Sequence, residues 1–248
     1  AYEPDSVLPD TGTVEPLAPF ADESFSLRRR LRQLHDLLEV HKYHETHICE
    51  LLKCDSLQQI EPTHLHYYDR QRLPDSSIGD LIRLFLLRVA LPVGKIVDLF
   101  GEDLFETMQV IGLLIPREEK WASRVDLYCS GGLFLATDHR YLFLEEDRLD
   151  EDPVMYIGMD SHGLVQTAPE LDAENLLDLC CGSGIQGLVA SRYARNVTSV
   201  DLNPRAIRFT RFNAQLNGIE NIQVHLDDLY AAVQGRRFDT ILANPPFV

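Results

Sequence analysis

Two glycines in a short loop are the first residues of this sequence whose spacing could position a ligand. The loop directly follows an apolar run and precedes a helical pattern. Glycine has no side chain, so a ligand can approach the backbone closely. Ligands of parallel α/β sheets bind beyond the carboxyl ends of the strands. We therefore predict a cofactor site that includes Asp178, Cys180, Gly182 and Gly184.

A second acidic residue, Asp201, ends the next predicted strand, 23 residues after Asp178. A carboxylate at this place can accept hydrogen bonds from both ribose hydroxyls of an adenosine-containing ligand. A helix cap is the alternative role, but Asn203, followed by Pro204, already supplies that cap. Asp201 and the adjoining Leu202 are therefore predicted to bind the cofactor.

A pair of acids, Asp227 and Asp228, follows the third predicted strand. A carboxylate here could accept a hydrogen bond from the amino group of adenine. Asp228 is the preferred candidate because it immediately precedes Leu229 and Tyr230, and a solvent-facing position is the alternative for Asp227. Both acids are included in the predicted cofactor site.

The fourth predicted strand ends in the sequence Asn-Pro-Pro-Phe, from residue 244 to residue 247. Proline restricts the residue before it to an extended conformation, so two prolines stiffen this turn. The Asn244 side-chain oxygen and the Pro245 carbonyl can then accept hydrogen bonds from both N–H groups of one substrate NH2 group. Phe247 can stack on a flat substrate. We predict that Asn244, Pro245 and Phe247 are the catalytic residues, and that Asn244 also borders the cofactor.

Strands and helices alternate in the part of the sequence that positions these residues. The predicted strands cover residues 176–180, 197–202, 222–226 and 238–243, and the predicted helices cover residues 185–194 and 204–216. Such alternation indicates βαβ units with right-handed crossovers. The predicted fold class is α/β, with a Rossmann-like parallel sheet in residues 175–248.

Residues 175–248 resemble the class I S-adenosylmethionine-dependent methyltransferases of the small-domain group. This group includes the release-factor glutamine methyltransferases and the ribosomal-RNA guanine-N2 methyltransferases. The resemblance implies that the glycine loop, Asp201 and Asp228 hold S-adenosylmethionine, with S-adenosylhomocysteine as the product. It also implies that the Asn-Pro-Pro-Phe motif binds the nitrogen that is methylated. The implied acceptor is a protein glutamine, an RNA base or a small-molecule amine.

The sequence departs from this group in two ways. The glutamine methyltransferases usually have Tyr where Phe247 stands, and their helical N-terminal domain differs from this one. The fold of the group has seven strands, whereas four are predicted here. We therefore expect an incomplete sheet that lacks the C-terminal strands, and we expect the chain to be a fragment of the enzyme.

The N-terminal part is predicted to be mainly helical. Residues 1–23 are rich in proline and acids and resemble a flexible leader. Residues 24–150 contain three short helical patterns followed by two strand-like stretches, 124–129 and 141–144, which resemble a winged-helix domain. Residues 151–174 connect it to the methyltransferase domain. Within this connection, residues 161–169 are expected to lie over the cofactor, with Gln166 and Thr167 as candidate contacts.

The formal charge of −16 lies almost entirely in the first 170 residues. Bare nucleic acid is repelled by an acidic surface, since phosphate binding depends on lysine and arginine. The third predicted helix of the winged-helix-like region also carries Glu102, Asp103 and Glu106 without a basic residue. We therefore predict a protein or small-molecule substrate rather than RNA, and no DNA binding.

The remaining composition indicates a soluble cytoplasmic protein without a metal. No apolar run reaches the length of about 18 residues needed to span a membrane. The N-terminus lacks the basic start and apolar stretch of a secretory signal. The histidines and cysteines near residue 47 match no zinc-binding spacing; they are His41, His44, His47, Cys49 and Cys54.

Two other functions are possible for these motifs. A binding protein could keep the methyltransferase fold without catalysis and use the acidic N-terminal region to bind a partner. An NAD-dependent oxidoreductase is disfavoured by the Asn-Pro-Pro-Phe motif, which is not part of the nucleotide fingerprint, although Gly182, Gly184 and Gly187 have the spacing of that fingerprint. The Asn-Pro-Pro-Phe motif favours the catalytic methyltransferase.

Overall fold

The computed structural model describes Leu17, residues 25–140 and residues 153–245 of the 248-residue chain. The chain divides into two compact units, with the boundary between Cys129 and Ser130. The sequence placed the end of the N-terminal domain later, at residue 150. Apart from Leu17, the predicted leader lies outside the described residues, as do the predicted strand at 141–144 and Phe247.

The helices of the N-terminal unit are short. Ser76 caps one of them, since its hydroxyl accepts a hydrogen bond from the Gly79 amide at 3.5 Å. A helical turn at Leu65–Tyr67 continues into a π-helical turn, Tyr68–Arg72. The helices are α1 (Phe25–Val40), α2 (Glu45–Leu52), α3 (Leu65–Tyr67), α4 (Ser77–Phe85), α5 (Val93–Phe100) and α6 (Glu102–Val110).

A small antiparallel sheet accompanies these helices. Its strands are β1 (Leu91–Pro92), β2 (Leu114–Arg117) and β3 (Lys120–Ser123), in the order β1-β3-β2. The sequence analysis did not predict the β2–β3 hairpin, whose turn contains Glu118 in a left-handed conformation, with φ of 54°. The next strand, β4, covers Val125–Ser130. The winged-helix assignment of this region stays a prediction.

The C-terminal unit alternates strands and helices. Its strands are β5 (Leu133–Asp138), β6 (Ala173–Leu179), β7 (Ala194–Asp201), β8 (Ile222–Leu226) and β9 (Thr240–Ala243). Its helices are α7 (Met159–Thr167), α8 (Ile185–Ala190) and α9 (Pro204–Leu216). The predicted bounds of α9 and β8 are confirmed. The predicted helix at 185–194 is too long, because β7 begins at Ala194.

Four of these strands form one parallel sheet in the order β8-β7-β6-β9. Successive residues of β6 point to opposite faces, as the pleat of a strand requires. Leu176 packs with Val197 and Leu242 on one face, whereas Leu177 packs with Val200 on the other. Burial on both faces explains why β6 contains the adjacent apolar residues Leu176 and Leu177 rather than a strict alternation. The predicted α/β fold class is confirmed.

No helix within the described ranges is both long enough and apolar enough to cross a membrane.

Candidate functional site

The predicted site residues follow the carboxyl ends of the four parallel strands. Leu179, the last residue of β6, is in register with Val200 of β7 and with Ala243 of β9. Neighbouring strands are about 4.8 Å apart. The glycine loop after β6 therefore begins beside Asn244, which directly follows β9. On the other side, Asp201 is in register with the last residue of β8, so the acids at 227 and 228 begin beside it.

The backbone of the glycine loop has a conformation that is strained for most residues other than glycine. Gly182 and Gly184 have φ values of 55° and 85°, in the left-handed region that favours glycine. A Cβ atom at Gly184 would lie 2.7 Å from Cγ2 of Thr210 in α9. The Thr210 hydroxyl also donates a hydrogen bond to the Gly182 carbonyl at 3.0 Å. The two glycines thus allow the loop to pack directly against α9.

Asp201 connects the loop to β7. Its Oδ2 atom accepts a hydrogen bond from the Gly182 amide at 2.9 Å, and its Oδ1 atom accepts one from the Asn203 amide at 2.9 Å. Asp201 is half-buried. An ionised carboxylate has about four acceptor positions, so two remain for the hydroxyls of a ligand. Asn203 itself caps α9 by accepting from the Arg205 amide at 2.8 Å, which confirms the predicted cap.

Asp178 is buried, and its carboxylate accepts hydrogen bonds from other groups of the protein. Its Oδ2 atom accepts hydrogen bonds from the Gly187 amide at 3.0 Å and from the Ser199 hydroxyl at 3.3 Å. Burial, more than the nearby charge of Asp201, raises the pKa of Asp178 to about 7. Asp178 therefore supports the loop from inside the core, whereas the sequence analysis placed it among the residues that contact the cofactor.

Gly187 is required by the same contact, because a Cβ atom there would lie 2.7 Å from both Asp178 Oδ2 and Ser199 Oγ. The neighbouring Gln186 is buried, and its Nε2 atom has no hydrogen-bond partner within the described part of the chain. Gln186 lies in the first turn of α8, two residues after Gly184. This amide nitrogen is a donor beside the loop that the sequence analysis did not identify.

The two cysteines of the loop are not activated nucleophiles. Burial is the main cause that raises the pKa of both thiols, and the carboxylates of Asp178 and Asp201 raise it further. Cys181 is buried, with its sulfur 3.5 Å from the Thr210 hydroxyl. Cys180, which was predicted to border the cofactor, is half-buried and has a left-handed backbone with φ of 56°. A protonated thiol is a poor nucleophile.

The acids after β8 lie next to Asp201. The Asp227 amide donates to the Asp201 carbonyl at 3.1 Å, and Asp227 Oδ1 accepts from the Asp228 amide at 2.8 Å. Asp227 is half-buried and Asp228 is exposed. Three apolar side chains near these acids are also exposed; they are Leu202 (70%), Leu229 (50%) and Tyr230 (54%).

Asn244 contacts the start of α7. Its Nδ2 atom donates to Asp160 Oδ2 at 2.8 Å and lies 3.4 Å from the Ser161 hydroxyl. Asn244 is half-buried, and Pro245 is exposed. The sequence analysis predicted that residues 161–169 lie over the site but did not include Asp160. No local pattern could identify this partner, because it precedes Asn244 by 84 residues.

The other two candidates from this segment, Gln166 and Thr167, lie at the end of α7. Gln166 and Thr167 are exposed, and the Thr167 hydroxyl donates to the Gly163 carbonyl within α7 at 2.7 Å.

The histidines of the N-terminal unit have other contacts, such as His47 Nδ1 at 2.9 Å from the Lys42 carbonyl. Across the described ranges, no group of three or more His, Cys, Asp or Glu side chains could hold a metal ion.

The parallel sheet and its helices define an α/β unit whose predicted site residues follow the carboxyl ends of the strands. The family described as the methyltransferase small domain matches residues 157–248. This part of the chain is therefore similar to the methyltransferase small domain.

Several curated relatives are similar to the same part of the chain. The ribosomal protein uL3 glutamine methyltransferase of Bradyrhizobium diazoefficiens is 35% identical over 107 residues, which are 39% of this chain and 34% of that protein. The ribosomal RNA small subunit methyltransferase C of Aeromonas hydrophila is 35% identical, over 37% of this chain and 26% of that protein. The release factor glutamine methyltransferase of Clostridium acetobutylicum is 34% identical, over 30% and 28%. The matched segment thus spans about a third or less of the length of these relatives.

Proposed function

We propose that this protein is an S-adenosylmethionine-dependent methyltransferase that methylates a planar amide or an exocyclic amine nitrogen. The observation that supports it most is the common position of three motifs at one sheet edge. The loop at Gly182 is bonded to Asp201 on one side. Asn244 follows the strand in register with the loop on the other side.

The residues at this edge fit the chemistry of the proposed cofactor. Asp201 keeps acceptor capacity for the two ribose hydroxyls, and Asp227 or Asp228 can accept from the adenine amino group. The exposed side chains of Leu202 and Tyr230 offer apolar surface for a flat base. The Gln186 Nε2 atom, which has no hydrogen-bond partner among the described residues, could donate to a carboxylate of the ligand.

The cofactor, when bound, supplies a methyl group on a positively charged sulfur, which is a good leaving group. The contribution of the protein is then mostly positioning. Asn244 Oδ1 and the Pro245 carbonyl can accept hydrogen bonds from the two N–H groups of the substrate NH2. These hydrogen bonds fix the nitrogen and aim its lone pair at the methyl group. The role of Phe247 as a stacking surface belongs to the same proposal.

The names of the relatives support two classes of acceptor. Two of the three are glutamine methyltransferases, and the third is a ribosomal RNA methyltransferase. Glutamine presents a planar NH2 group, and so do adenine, guanine and cytosine. The formal charge of −16 opposes binding to bare RNA. We therefore propose a protein or a small molecule as the acceptor.

Methyl transfer from labelled S-adenosylmethionine tests this proposal. The full-length protein is offered three separate acceptor pools: release factors and ribosomal proteins, ribosomal RNA, and small metabolites. We expect labelling of the protein or metabolite pool. Labelling of RNA alone would contradict the proposed acceptor, and no labelling of any pool would favour the non-catalytic binding protein.

The variant Asn244→Ala tests the role of the Asn-Pro-Pro-Phe motif. It removes one acceptor for the substrate NH2 group, so we expect transfer to fall by a factor of about 100 or more, as for a preorganised hydrogen bond in an active site. Cofactor binding should change little. Asn196→Ala is the matched control, because Asn196 is exposed near the amino end of β7, at the opposite edge of the sheet. Full activity of Asn244→Ala would contradict the proposed role.

A further inference from the structure

The hydrogen bond between α7 and the end of β9 assigns a role to a residue outside the motifs. Asn244 Nδ2 lies 2.8 Å from Asp160 Oδ2. The geometry points to Asp160 as a positioning residue that sets the orientation of the Asn244 side chain for the acceptor nitrogen. This inference rests on the proposed function of Asn244 and goes beyond it, because Asp160 belongs to none of the motifs.

The chemistry of the two side chains makes the orientation unambiguous. A carboxamide can rotate by half a turn and exchange its oxygen and nitrogen. An ionised carboxylate can only accept hydrogen bonds, so it selects the orientation in which the amide nitrogen faces it. The Ser161 hydroxyl, at 3.4 Å, can either donate or accept and does not select. Asp160 therefore keeps the Asn244 oxygen available, and that oxygen accepts no hydrogen bond from the described residues.

Gly158 leaves the space that the Asp160 carboxylate needs. A Cβ atom at Gly158 would lie 2.6 Å from Asp160 Oδ1. Gly158 has φ of −92° and ψ of −176°, an extended conformation that alanine adopts without strain. An alanine there would therefore displace the carboxylate of Asp160 and leave its charge unchanged.

The segment that carries Asp160 is held on both sides. Upstream, the Val154 amide donates to Asp138 Oδ2 at 2.8 Å, and Ile157 is buried. Downstream, His162 Nδ1 lies 3.2 Å from the Ser130 hydroxyl. A carboxylate on an anchored segment can fix a partner side chain, since positioning requires supporting contacts.

Side-chain amide NMR tests the contact without any need for activity. The sequence has seven asparagines, so protein labelled with 15N only at asparagine gives seven side-chain pairs, and Asn244→Ala identifies the pair from residue 244. Asp160→Asn keeps the shape but is no longer only an acceptor, and it adds an eighth pair from residue 160 itself. We expect it to shift the Asn244 pair more than any of the other six. Asp172→Asn is the control, because Asp172 is exposed before β6. An unchanged Asn244 pair in Asp160→Asn would overturn the inference.

Turnover tests the consequence for catalysis with the acceptor that the wild-type protein labels. Loss of one charge-assisted hydrogen bond should lower kcat by a factor of about 10 to 100 in Asp160→Asn, with cofactor affinity unchanged within about twofold. Gly158→Ala should lower kcat as well. In the Asn244→Ala background, Asp160→Asn should cause no further loss. Wild-type kcat in Asp160→Asn would overturn the inference, and so would an equal loss in both backgrounds.

The two readouts separate this inference from the proposed function. If the wild-type protein labels no acceptor, the proposed function fails, and the inferred role in catalysis fails with it. The NMR shift then still shows whether Asp160 orients Asn244. If the wild-type protein is active and Asp160→Asn is equally active, only the inference fails.

Discussion

Asp178 and Asp201 lie in neighbouring strands, but they differ in burial and in their hydrogen-bond partners, and therefore in their roles. Asp201 is half-buried and holds the glycine loop with two hydrogen bonds while keeping free acceptor positions. Asp178 is buried, and both of its hydrogen bonds reach the same oxygen, from Gly187 and Ser199. The sequence pattern indicates that both acids matter. Only their burial shows that Asp178 acts within the core.

The raised pKa of Asp178 predicts a pH-dependent stability. Burial raises its pKa from 3.8 to about 7, so the folded state binds this proton more tightly than the unfolded state. The stabilisation is then fully present below the unfolded pKa and is lost as the pH rises through about 7, on the order of 4 kcal/mol in total. Asp178→Asn removes this dependence and can still accept from Gly187.

Thermal unfolding followed by circular dichroism measures this effect. The Tm of Asp178→Asn relative to the wild-type protein should rise between about pH 5 and about pH 7 and change little above about pH 8. The exposed substitution Asp172→Asn should show no such trend. A pH-independent difference between Asp178→Asn and the wild-type protein would contradict a raised pKa at this position.

At the scale of elements, a buried ion pair connects β5 with α9. Asp138 is fully buried, and its two carboxylate oxygens lie 2.6 Å from Arg205 Nε and 2.5 Å from a terminal guanidinium nitrogen. Oδ2 of Asp138 also accepts from the Val154 amide. This contact places the start of the segment that leads to Asp160. The ion pair therefore supports the site from outside the motifs.

Removal of one partner of this pair should be costly. Asp138→Ala leaves the Arg205 charge buried without compensation, so we expect a loss of about 3–5 kcal/mol in the free energy of unfolding. The double variant Asp138→Leu, Arg205→Met replaces both charges by apolar groups and should be more stable than the single variant.

Hydrogen exchange of α9 measures the effect of the ion pair directly. Tryptophan fluorescence would not, because Trp121, the one tryptophan of the sequence, lies in the N-terminal unit. Faster exchange of α9 in Asp138→Ala, with partial recovery in the double variant, is the expected result. Exchange at the wild-type rate in Asp138→Ala would show that the pair does not stabilise this helix.

Local signals predicted some elements well and others poorly. The Asn203 cap and Pro204 at the first helical position defined α9, and the alternating apolar residues Ile222, Val224 and Leu226 defined β8. The β2–β3 hairpin was missed, because its left-handed turn residue is Glu118 rather than a glycine or asparagine. The end of α8 was missed since residues 191–193 form a turn although their sequence does not prevent a helix.

At the scale of the whole molecule, the site is assembled from residues that are far apart in the sequence. The register of the parallel strands could be anticipated from the alternation of strands and helices, and it places the loop at Gly182, Asp201 and Asn244 at one edge. The contact between Asp160 and Asn244 could not be anticipated, because it depends on the path of a segment that forms no part of the sheet. Long-range side-chain contacts of this kind leave no periodic signal in one sequence.

The most direct test of the account is calorimetric titration of the full-length protein with S-adenosylhomocysteine. We expect saturable binding by the wild-type protein and by Asp172→Asn, no binding of NAD, and an affinity about 10- to 100-fold weaker for Asp201→Asn, which loses charged hydrogen bonds to the ribose. This pattern would place the cofactor at the carboxyl edge of the sheet beside Asp201. Absence of binding by the wild-type protein, or equal affinity in Asp201→Asn, would contradict the proposed site.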